Sequence, residues 1–374
     1  MSSKTMYSTT ALPAEMQSVT VHPTQPLIKT TISTIALPNS LAPNEVLIKV
    51  YAAASNQKDW LHVVARGVSL NSGDDLAGTV AGLGSDVAKF QTGDKVAVFH
   101  PMGQPYGAYA EYAVAPAHTV FRIPKAMSFE EASTIPLVSL TAGITLFRRQ
   151  GFAAPWDPET MGKNGQQPLL VYGATTALGT YAIKLAKLAG VGPIIAIGGG
   201  SSEYLRTLLT EDDVFLDYRT GMEQIRNDIG RIAKERNLKL LNAIDAFSAS
   251  GSWVEVSQML DGGRLSVFSG ANEYDEARIP TRVRIVYTYV GTGHEGAYKP
   301  GMPKQPAAED AQGDVKFAEE FFIWLADMLE QGRYTGHPYE VVPGGFSGVA
   351  KGLNRLQYGQ AGGKKLVYVV WEGL

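Results

Sequence analysis

A chain of 374 residues exceeds one ordinary domain and is about right for two, at roughly 100 to 200 residues per domain. Its 45% hydrophobic and 18% charged residues and its 40 glycines are typical of a soluble α/β protein and exclude disordered, fibrous and membrane classes. A formal net charge of -3 argues against nucleic acid or anionic membranes as partners, and the absence of cysteine excludes disulfides, thiolate nucleophiles and cysteine-ligated zinc.

The N-terminal segment, residues 1–20, has no apolar stretch of the kind that a signal peptide carries, and we expect it to be a frayed tail. Further along the chain, no apolar run reaches the roughly 18 residues of a membrane helix. These features predict a cytoplasmic protein without a membrane partner.

The first third of the chain is predicted to be rich in β-strands. Apolar residues alternate from Glu45 to Tyr51, the period of a strand with one buried face. Further β signals, separated by Gly, Pro and Asp turns, lie at 79–81, 95–99 and 109–114. Ser128 with Glu131 is a capping-box pattern and predicts the start of a helix.

After a Pro/Gly-rich insertion that ends at Gln167, strands alternate with helices. Short apolar strands are predicted at 168–173, 193–197, 213–218, 243–247, 265–268 and 283–290, and a last one at 365–370. Helices are predicted at 180–189, around Ile225 to Ile232, and from Phe317 to Met328. Such alternation predicts a doubly wound parallel sheet with right-handed crossovers.

The segment from Gly173 to Gly179 stands between a predicted strand and a predicted helix. Small residues there let the backbone approach a pyrophosphate at the helix N-terminus, where free amides favour an anion. A purely steric strand-to-helix turn is the alternative. The candidate cofactor-binding residues of this loop are Gly173, Thr175, Thr176, Ala177 and Leu178.

The end of the next strand lacks the acidic residue that NAD-preferring folds place there. Glycines, Ser201 and Ser202 occupy that place, with Tyr204 beside them, and they tolerate a 2′-phosphate that a carboxylate would repel. NADPH is therefore favoured over NADH, with Arg206 as a candidate phosphate partner. Tyr218 either stacks on the adenine or is an ordinary aromatic residue at a strand end.

Several stretches, in matching order and spacing over nearly the whole chain, resemble the medium-chain dehydrogenase/reductase superfamily. They are Asn56–Trp60, Asp75–Val80, Gly93–Val96, Gly107–Tyr112, Leu140–Gly143, the Gly173–Gly179 loop and Gly262–Arg264. The runs Pro136–Thr141 and Gly362–Val367 are similar to those of its zinc-independent branch of quinone oxidoreductases and fungal trans-acting enoyl reductases.

This resemblance implies a GroES-like β-barrel catalytic domain, residues 1–137 and 314–374, and a Rossmann domain for NADPH, residues 138–313, with substrate in the cleft between them. Zinc-dependent relatives have Cys where this chain has Asn56, and a His-Glu pair where it has Asp74 and Asp75, so no metal is expected. The implied reaction is NADPH-dependent reduction of a conjugated acceptor, either an enoyl C=C bond or a quinone, by hydride transfer.

The resemblance also suggests residues near the reacting groups. Asn56 and Asp59 match residues near the nicotinamide, although turn-closing hydrogen bonds are the alternative, and Thr141 matches a helix residue whose hydroxyl points to the cofactor. Phe268 and Gly270 follow a strand at its carboxyl end, where ligands bind in such folds. The candidate catalytic residues are Asn56, Thr141 and Tyr289.

The proton donor is left open between His62, Tyr109, Tyr289 and water, because Leu61 and Gly67 stand where relatives often have Tyr. Two other functions remain: a metal-free aldehyde or ketone reductase, and a non-catalytic NADPH-binding accessory protein. The expected partner is a small molecule with a conjugated carbonyl, and the protein is expected to be a monomer or a homodimer that pairs through the strand at 283–290.

Overall fold

The computed structural model describes residues 12–160, 162–165, 167–268, 275–298 and 306–371. Two compact units divide the chain: the first contains the described residues of Met1–Leu137 and Ala318–Leu374, and the second those of Val138–Phe317. Within the described residues, no helix is both long and apolar enough to span a bilayer.

The strands of the described residues are, in chain order, β1 Glu15–His22, β2 Lys29–Ala36, β3 Glu45–Ala54, β4 Asp75–Leu83, β5 Lys95–Phe99, β6 Tyr112–Pro116, β7 Val120–Arg122, β8 Leu169–Tyr172, β9 Ile194–Gly198, β10 Val214–Asp217, β11 Asn242–Asp245, β12 Gly263–Val267, β13 Val283–Tyr287, β14 Tyr339–Val341 and β15 Lys365–Val369.

The α-helices of the same residues are α1 Gln57–Arg66, α2 Phe129–Ser133, α3 Pro136–Gly143, α4 Ala177–Leu188, α5 Glu203–Leu208, α6 Met222–Glu235, α7 Ser252–Ser257, α8 Ala308–Ala311, α9 Asp314–Glu330 and α10 Val349–Gln357. A π-helical segment, Ile144–Gln150, follows α3 directly.

The first unit is built on a seven-stranded sheet of order β14-β15-β3-β4-β5-β7, with β6 also paired to β3. The central strand β3 pairs antiparallel with β4, β6 and β15. Its alternating residues Val46, Ile48 and Val50 are fully buried in the main core of this unit, and Leu47 is buried in a smaller core on the opposite face. The predicted alternation therefore marks a strand whose two faces are both covered.

A two-stranded antiparallel ribbon, β1 with β2, precedes this sheet. The expectation of a frayed tail over residues 1–20 is wrong for its last part, because β1 begins at Glu15 and buries Met16, Val19 and Val21. Residues 1–11 lie outside the described part. The strand expected at 109–114 begins later, at Tyr112, although Ala110 forms an isolated bridge to Ser18.

The second unit contains a six-stranded parallel sheet of order β10-β9-β8-β11-β12-β13. This is the doubly wound order in which the first strand, β8, lies at the centre and the chain moves outward in both directions. The predicted strands 168–173 to 283–290 all coincide with β8 to β13, with ends that differ by a few residues. Carboxyl ends of β8 and β11 therefore meet at the switch point, where ligands bind in such sheets.

The N-termini of α1 and α2 are both capped by side chains, and only α1 has the reciprocal capping box. At α2 the Ser128 hydroxyl accepts from the Glu131 amide (3.1 Å), but the Glu131 carboxylate accepts from the amide of Gly336 (2.9 Å) and not from that of Ser128. The predicted helix start is correct and the reciprocal bond is not. At α1 the carboxylate of Asp59 closes on the backbone amide of Asn56 (2.9 Å).

Candidate active site

The loop between β8 and α4 is shaped by two close backbone approaches. Gly173 has φ +72°, and a Cβ there would lie 3.0 Å from the Phe247 amide nitrogen. A Cβ on Gly179 would lie 2.5 Å from the Gly173 carbonyl oxygen. The Thr176 hydroxyl donates to that same carbonyl (2.8 Å) and accepts from the Gly179 amide (3.0 Å). Thr176 therefore caps the N-terminus of α4, at a position where dinucleotide-binding loops commonly have glycine.

This loop fits a dinucleotide pyrophosphate. Thr175, Ala177 and Leu178 are partly accessible around the N-terminus of the twelve-residue helix α4. Backbone amides of a first helical turn have no intrahelical acceptor, and the helix dipole favours an anion at that end. The cradle that a Cβ at Gly173 would narrow is therefore a physically suitable place for a phosphate group.

The turn after β9 is flanked by two side chains from the end of β10. A Cβ on Gly199 would lie 2.5 Å from the Tyr218 ring, and a Cβ on Gly200 would lie 3.2 Å from Arg219 Nη1. Ser201 and Ser202 complete this turn, and Ser201 is exposed. The structure thus brings the predicted residues Ser201, Ser202 and Tyr218 together and adds Arg219, which the sequence analysis missed.

Both arginines of this region already have partners. Arg219 Nε lies 2.9 and 3.0 Å from the two carboxylate oxygens of Asp217, and this contact lowers the pKa of Asp217 to about 2. The Arg206 guanidinium lies 4.1 Å from the centre of the Phe215 ring, and its Nε is 3.4 Å from the Ser202 hydroxyl. Both arginines are exposed, and Arg219 is the one whose guanidinium lies beside Gly200. Its position next to Tyr218 in the sequence was the signal that could have indicated it.

Tyr204 lies in α5 and is half-buried. The Lys184 ammonium is 5.2 Å from the centre of the Tyr204 ring and 5.1 Å from that of Tyr181, as in cation–π contacts. The Tyr204 ring thus packs against α4, and its contact with a cofactor stays a prediction.

The loop after β11 contains a buried carboxylate that the sequence analysis did not single out. Asp245 accepts hydrogen bonds from the amides of Phe247 (3.1 Å) and Ser248 (2.8 Å) and from the Ser252 hydroxyl. It shapes the loop so that Phe247, 52% exposed, lies against Gly173. Burial is the largest influence on Asp245 and raises its pKa to about 6, against the opposing effect of these hydrogen bonds.

A pH-dependent stability follows from this raised pKa. Because the folded-state pKa lies above the ordinary 3.8, the native state binds the proton more tightly, and stability from this group falls as pH rises from about 4 to above 6. An asparagine in the same place would not titrate. The free energy of unfolding of Asp245→Asn, relative to that of the wild type, is therefore expected to rise by about 3 kcal/mol from pH 4 to pH 7.5. Urea unfolding at both pH values measures this; a pH-independent difference would contradict it.

Phe268 follows β12, as predicted, and its amide donates to the Ser248 hydroxyl (3.1 Å). It therefore lies beside the Asp245 loop at the carboxyl edge of the sheet. Gly270 lies outside the described residues.

Thr141 lies in α3, and its backbone carbonyl accepts from the Thr145 hydroxyl (2.7 Å), which also contacts the Thr288 hydroxyl (3.3 Å). Since Tyr289 is the next residue, the structure brings two predicted catalytic residues into neighbouring segments of the second unit. The π-helical segment Ile144–Gln150 begins directly after α3, close to Thr141. Such segments are rare in proteins, and those that occur are often at functional sites.

Asn56 lies in the first unit within a buried cluster. Its Nδ2 donates to Asp75 Oδ2 (2.8 Å), and its Oδ1 accepts from the Lys365 ammonium (2.7 Å). Lys365 also donates to the same Asp75 oxygen (2.9 Å), while Asp75 Oδ1 accepts from the Leu137 amide (2.7 Å). The sequence motifs indicate Asn56 but contain no signal for Lys365.

Asp59 has a different role from the predicted cofactor contact, because its side chain is fully buried. Its Oδ2 accepts from the Tyr109 hydroxyl (2.6 Å), and its Oδ1 lies 2.8 Å from the Lys58 ammonium. Lys58 also forms an ion pair with buried Asp74, whose Oδ1 lies 2.9 Å from His100 Nδ1. Burial raises the pKa of Asp59, whereas Lys58 and His100 hold that of Asp74 below its ordinary value.

Two of the proposed proton donors fit poorly. Tyr109 is fully buried, and burial together with Asp59 raises its pKa well above the ordinary value, so this hydroxyl serves the Asp59 cluster. Burial and the nearby cations Lys58 and Arg66 lower the pKa of His62 to about 4, so its ring is neutral at physiological pH. Tyr289, which is half-buried, remains a candidate beside water.

The resemblance matches three residues to metal ligands of zinc-dependent relatives: Asn56, Asp74 and Asp75. In this structure each of their side chains contacts the ammonium group of a lysine. Asp74 contacts Lys58, and Asp75 and Asn56 contact Lys365. In the described ranges, no group of three or more His, Asp or Glu side chains is arranged to hold a metal ion. These residues do not fit a zinc ion.

Comparisons with known proteins agree with this structure. The model of the alcohol dehydrogenase GroES-like domain matches residues 42–125. The trans-enoyl reductase fsr4 of Gibberella fujikuroi is 33% identical over 313 residues, which cover 82% of this chain and 86% of that protein.

Solved structures of low sequence identity share the fold. The CurK enoyl reductase has a TM-score of 0.72 at 18% identity, covering 96% of this chain and 99% of that one. A crotonyl-CoA carboxylase/reductase, AntE, in complex with NADP has a TM-score of 0.69 at 17% identity, covering 96% of each chain. The expected α/β fold, GroES-like domain with parallel Rossmann sheet, is confirmed. The chain belongs to the trans-enoyl reductases, a zinc-independent family of medium-chain dehydrogenase/reductase enzymes.

Proposed function

We propose that this oxidoreductase uses NADPH to reduce an enoyl C=C bond conjugated to a carbonyl group. The observation that carries the proposal is the combination, in one chain, of the Gly173 phosphate cradle with an Asn56 carboxamide held by Lys365 instead of a metal. The likeness to a named trans-enoyl reductase supports the same reaction. Without a Lewis acid, a carbon made electrophilic by conjugation is the suitable target.

NADPH, when bound, supplies the hydride that adds to the β-carbon of the acceptor. The negative charge that develops on the carbonyl oxygen needs a hydrogen-bond donor, and we assign this role to Asn56. Thr141 and Tyr289 are proposed to orient the reacting groups, with Tyr289 or water as the proton source for the α-carbon. The residues proposed to hold the cofactor are Gly173, Thr175, Thr176, Ala177, Leu178, Ser201, Ser202, Tyr204, Tyr218 and Phe268.

In this proposal residues 1–137 and 314–374 form the catalytic domain and residues 138–313 the NADPH-binding domain. The protein is proposed to act in the cytoplasm on a small molecule, as a monomer or a homodimer. β13 is one of the two edge strands of the parallel sheet, and it would provide the pairing surface of a homodimer.

The preference for NADPH is proposed to depend on Arg219. Its side chain is 61% exposed and its guanidinium lies beside Gly200. An exposed arginine suits bidentate contact with a phosphate. We expect Arg219→Gln to raise KM for NADPH about tenfold or more, with KM for NADH nearly unchanged. Steady-state kinetics with both cofactors measure this.

A matched control for that experiment is Arg231→Gln on α6, where Arg231 is similarly exposed and also paired with an acidic residue, Asp228. Equal losses with NADPH and NADH in Arg219→Gln, or none with either, would contradict the role of Arg219 as the 2′-phosphate partner.

The reaction itself is tested by cofactor consumption with a 2-alkenal, an enoyl thioester, a 1,4-quinone and a saturated aldehyde. Turnover of the enoyl acceptors and not of the saturated aldehyde is expected. Turnover of the quinone alone would identify a quinone reductase in place of an enoyl reductase. Turnover of the saturated aldehyde would favour a metal-free carbonyl reductase. NADPH binding without any turnover would favour an accessory role.

A further inference from the structure

The cluster of Asn56, Asp75 and Lys365 brings together residues from three separate parts of the sequence. Asn56 precedes α1, Asp75 opens β4 and Lys365 opens β15. Asp75 is fully buried and Lys365 is 5% exposed, whereas Asn56 is 9% exposed. The amide is thus the most accessible member of the cluster.

The two charges fix which way the Asn56 carboxamide points. In the observed orientation Oδ1 faces the Lys365 ammonium at 2.7 Å and Nδ2 faces the Asp75 carboxylate at 2.8 Å. A flipped amide would place NH₂ against the ammonium and the carbonyl oxygen against the carboxylate. Since an ammonium only donates and a carboxylate only accepts, both hydrogen bonds would be lost.

The hydrogen bonds also leave one donor available. An asparagine NH₂ group carries two N–H bonds, of which one is used by Asp75. Across the part of the chain that the structure describes, no protein acceptor is recorded for the second Nδ2 N–H. The ammonium on Oδ1 withdraws electron density from the amide, and this strengthens the remaining N–H as a donor.

We infer that Lys365 and Asp75 are positioning residues, which hold the Asn56 carboxamide so that its second Nδ2 N–H is free to donate to the carbonyl oxygen of the substrate. This inference rests on the proposed reduction of a conjugated carbonyl compound. The backbone supports the arrangement rigidly: Asp75 Oδ1 is held by the Leu137 amide (2.7 Å), and the Ser55 amide donates to the Leu366 carbonyl (2.9 Å).

The kinetic test uses Lys365→Met with Lys364→Met as its matched control, because Lys364 is the adjacent residue and is exposed. Loss of the orienting ammonium is expected to lower kcat about tenfold or more, with little change in KM for the enoyl acceptor, since the donor acts on charge that develops in the transition state. Lys364→Met is expected to keep the kcat of the wild type.

A second variant is needed if Lys365→Met does not fold because it leaves the buried Asp75 carboxylate without its cation. Lys365→Met/Asp75→Asn removes both buried charges, and its melting temperature and circular dichroism report whether the fold is intact. The same fall in kcat is expected in the folded double variant. A folded Lys365→Met or double variant with the kcat and KM of the wild type would overturn the inference.

A readout independent of turnover separates this inference from the proposed reaction. With isotope-labelled asparagine, NMR is expected to show one slowly exchanging Nδ2 proton of Asn56, assigned by its loss in Asn56→Ser. Its protection should decrease in the folded Lys365→Met/Asp75→Asn protein, because the acceptor at position 75 is then a neutral amide oxygen. Wild-type protection without any enoyl turnover would refute the proposed reaction alone, whereas unchanged protection in the double variant would refute the positioning role.

Discussion

Asn56→Ala is expected to lower kcat for an enoyl acceptor by about a hundredfold or more, the usual effect of removing one oxyanion donor. The substitution deletes the carboxamide whose second Nδ2 N–H we assign to the substrate carbonyl. KM should change much less, because the ground-state carbonyl carries little negative charge. Steady-state kinetics with the enoyl thioester measure both constants.

Two comparisons make this result specific. Asn44→Ala alters an exposed asparagine of the same unit and is expected to keep the activity of the wild type. The melting temperature of Asn56→Ala reports any loss from the Lys365 and Asp75 contacts. An Asn56→Ala protein that is folded and has undiminished kcat would show that another group stabilises the developing charge.

Lys58→Met is expected to destabilise the protein by about 3 to 5 kcal/mol, because it leaves the buried carboxylates Asp59 and Asp74 without their shared cation. Contacts with both carboxylates hold the pKa of Lys58 above its ordinary value, although burial alone would lower it. The pKa of Asp74 is lowered, so its contribution is present above about pH 4 and is lost as pH falls further. Neutral pH is therefore suitable for the measurement.

Urea unfolding of Lys58→Met should be compared with that of Lys89→Met. Lys89 forms an exposed ion pair with Glu319 (3.2 Å), and such pairs contribute about 0 to 1 kcal/mol. The double variant Lys58→Met/Asp74→Asn should recover part of the lost stability. Equal small effects of Lys58→Met and Lys89→Met would mean that the buried carboxylates are compensated by other groups.

The central strands of the parallel sheet were readily predicted because they are buried on both faces. Runs such as Leu169–Tyr172 and Ile194–Gly198 are continuously apolar and end at glycines or a strand-end aromatic, so their position is encoded locally. The phosphate loop was predicted for the same reason, since Gly173 and Gly179 stand at fixed distances from a strand and a helix. For these strands and this loop, the local sequence pattern was sufficient for the prediction.

Other elements carry weak local signals. β2 is rich in threonine and largely exposed. It therefore lacks the alternation of apolar and polar residues that indicates a half-buried strand. The π-helical segment Ile144–Gln150 continues an ordinary apolar helix and has no distinguishing composition. Both features depend on tertiary contacts more than on local sequence.

The candidate site was predicted only as far as its motifs extend. Asn56 was found by resemblance, but Lys365 is 309 residues away in the sequence, and nothing near either residue indicates that they meet. For Asp59 the sequence left a cofactor contact and a turn-closing hydrogen bond open; the structure shows the second, to the Asn56 amide. The sequence gives no sign that Tyr109 and Lys58 enclose this carboxylate. Asp245 was missed because a strand-end aspartate has no distinctive neighbours until the loop folds around it.

Hydride transfer to the β-carbon of a conjugated enoyl acceptor can be followed by isotope labelling. The wild-type protein is supplied with NADPH deuterated at the transferable position and with an enoyl thioester, and the product is analysed by NMR. Deuterium at the β-carbon, with a solvent-derived proton at the α-carbon, is the predicted result. Deuterium at the carbonyl carbon, or an unreduced acceptor beside bound NADPH, would rule out this reaction.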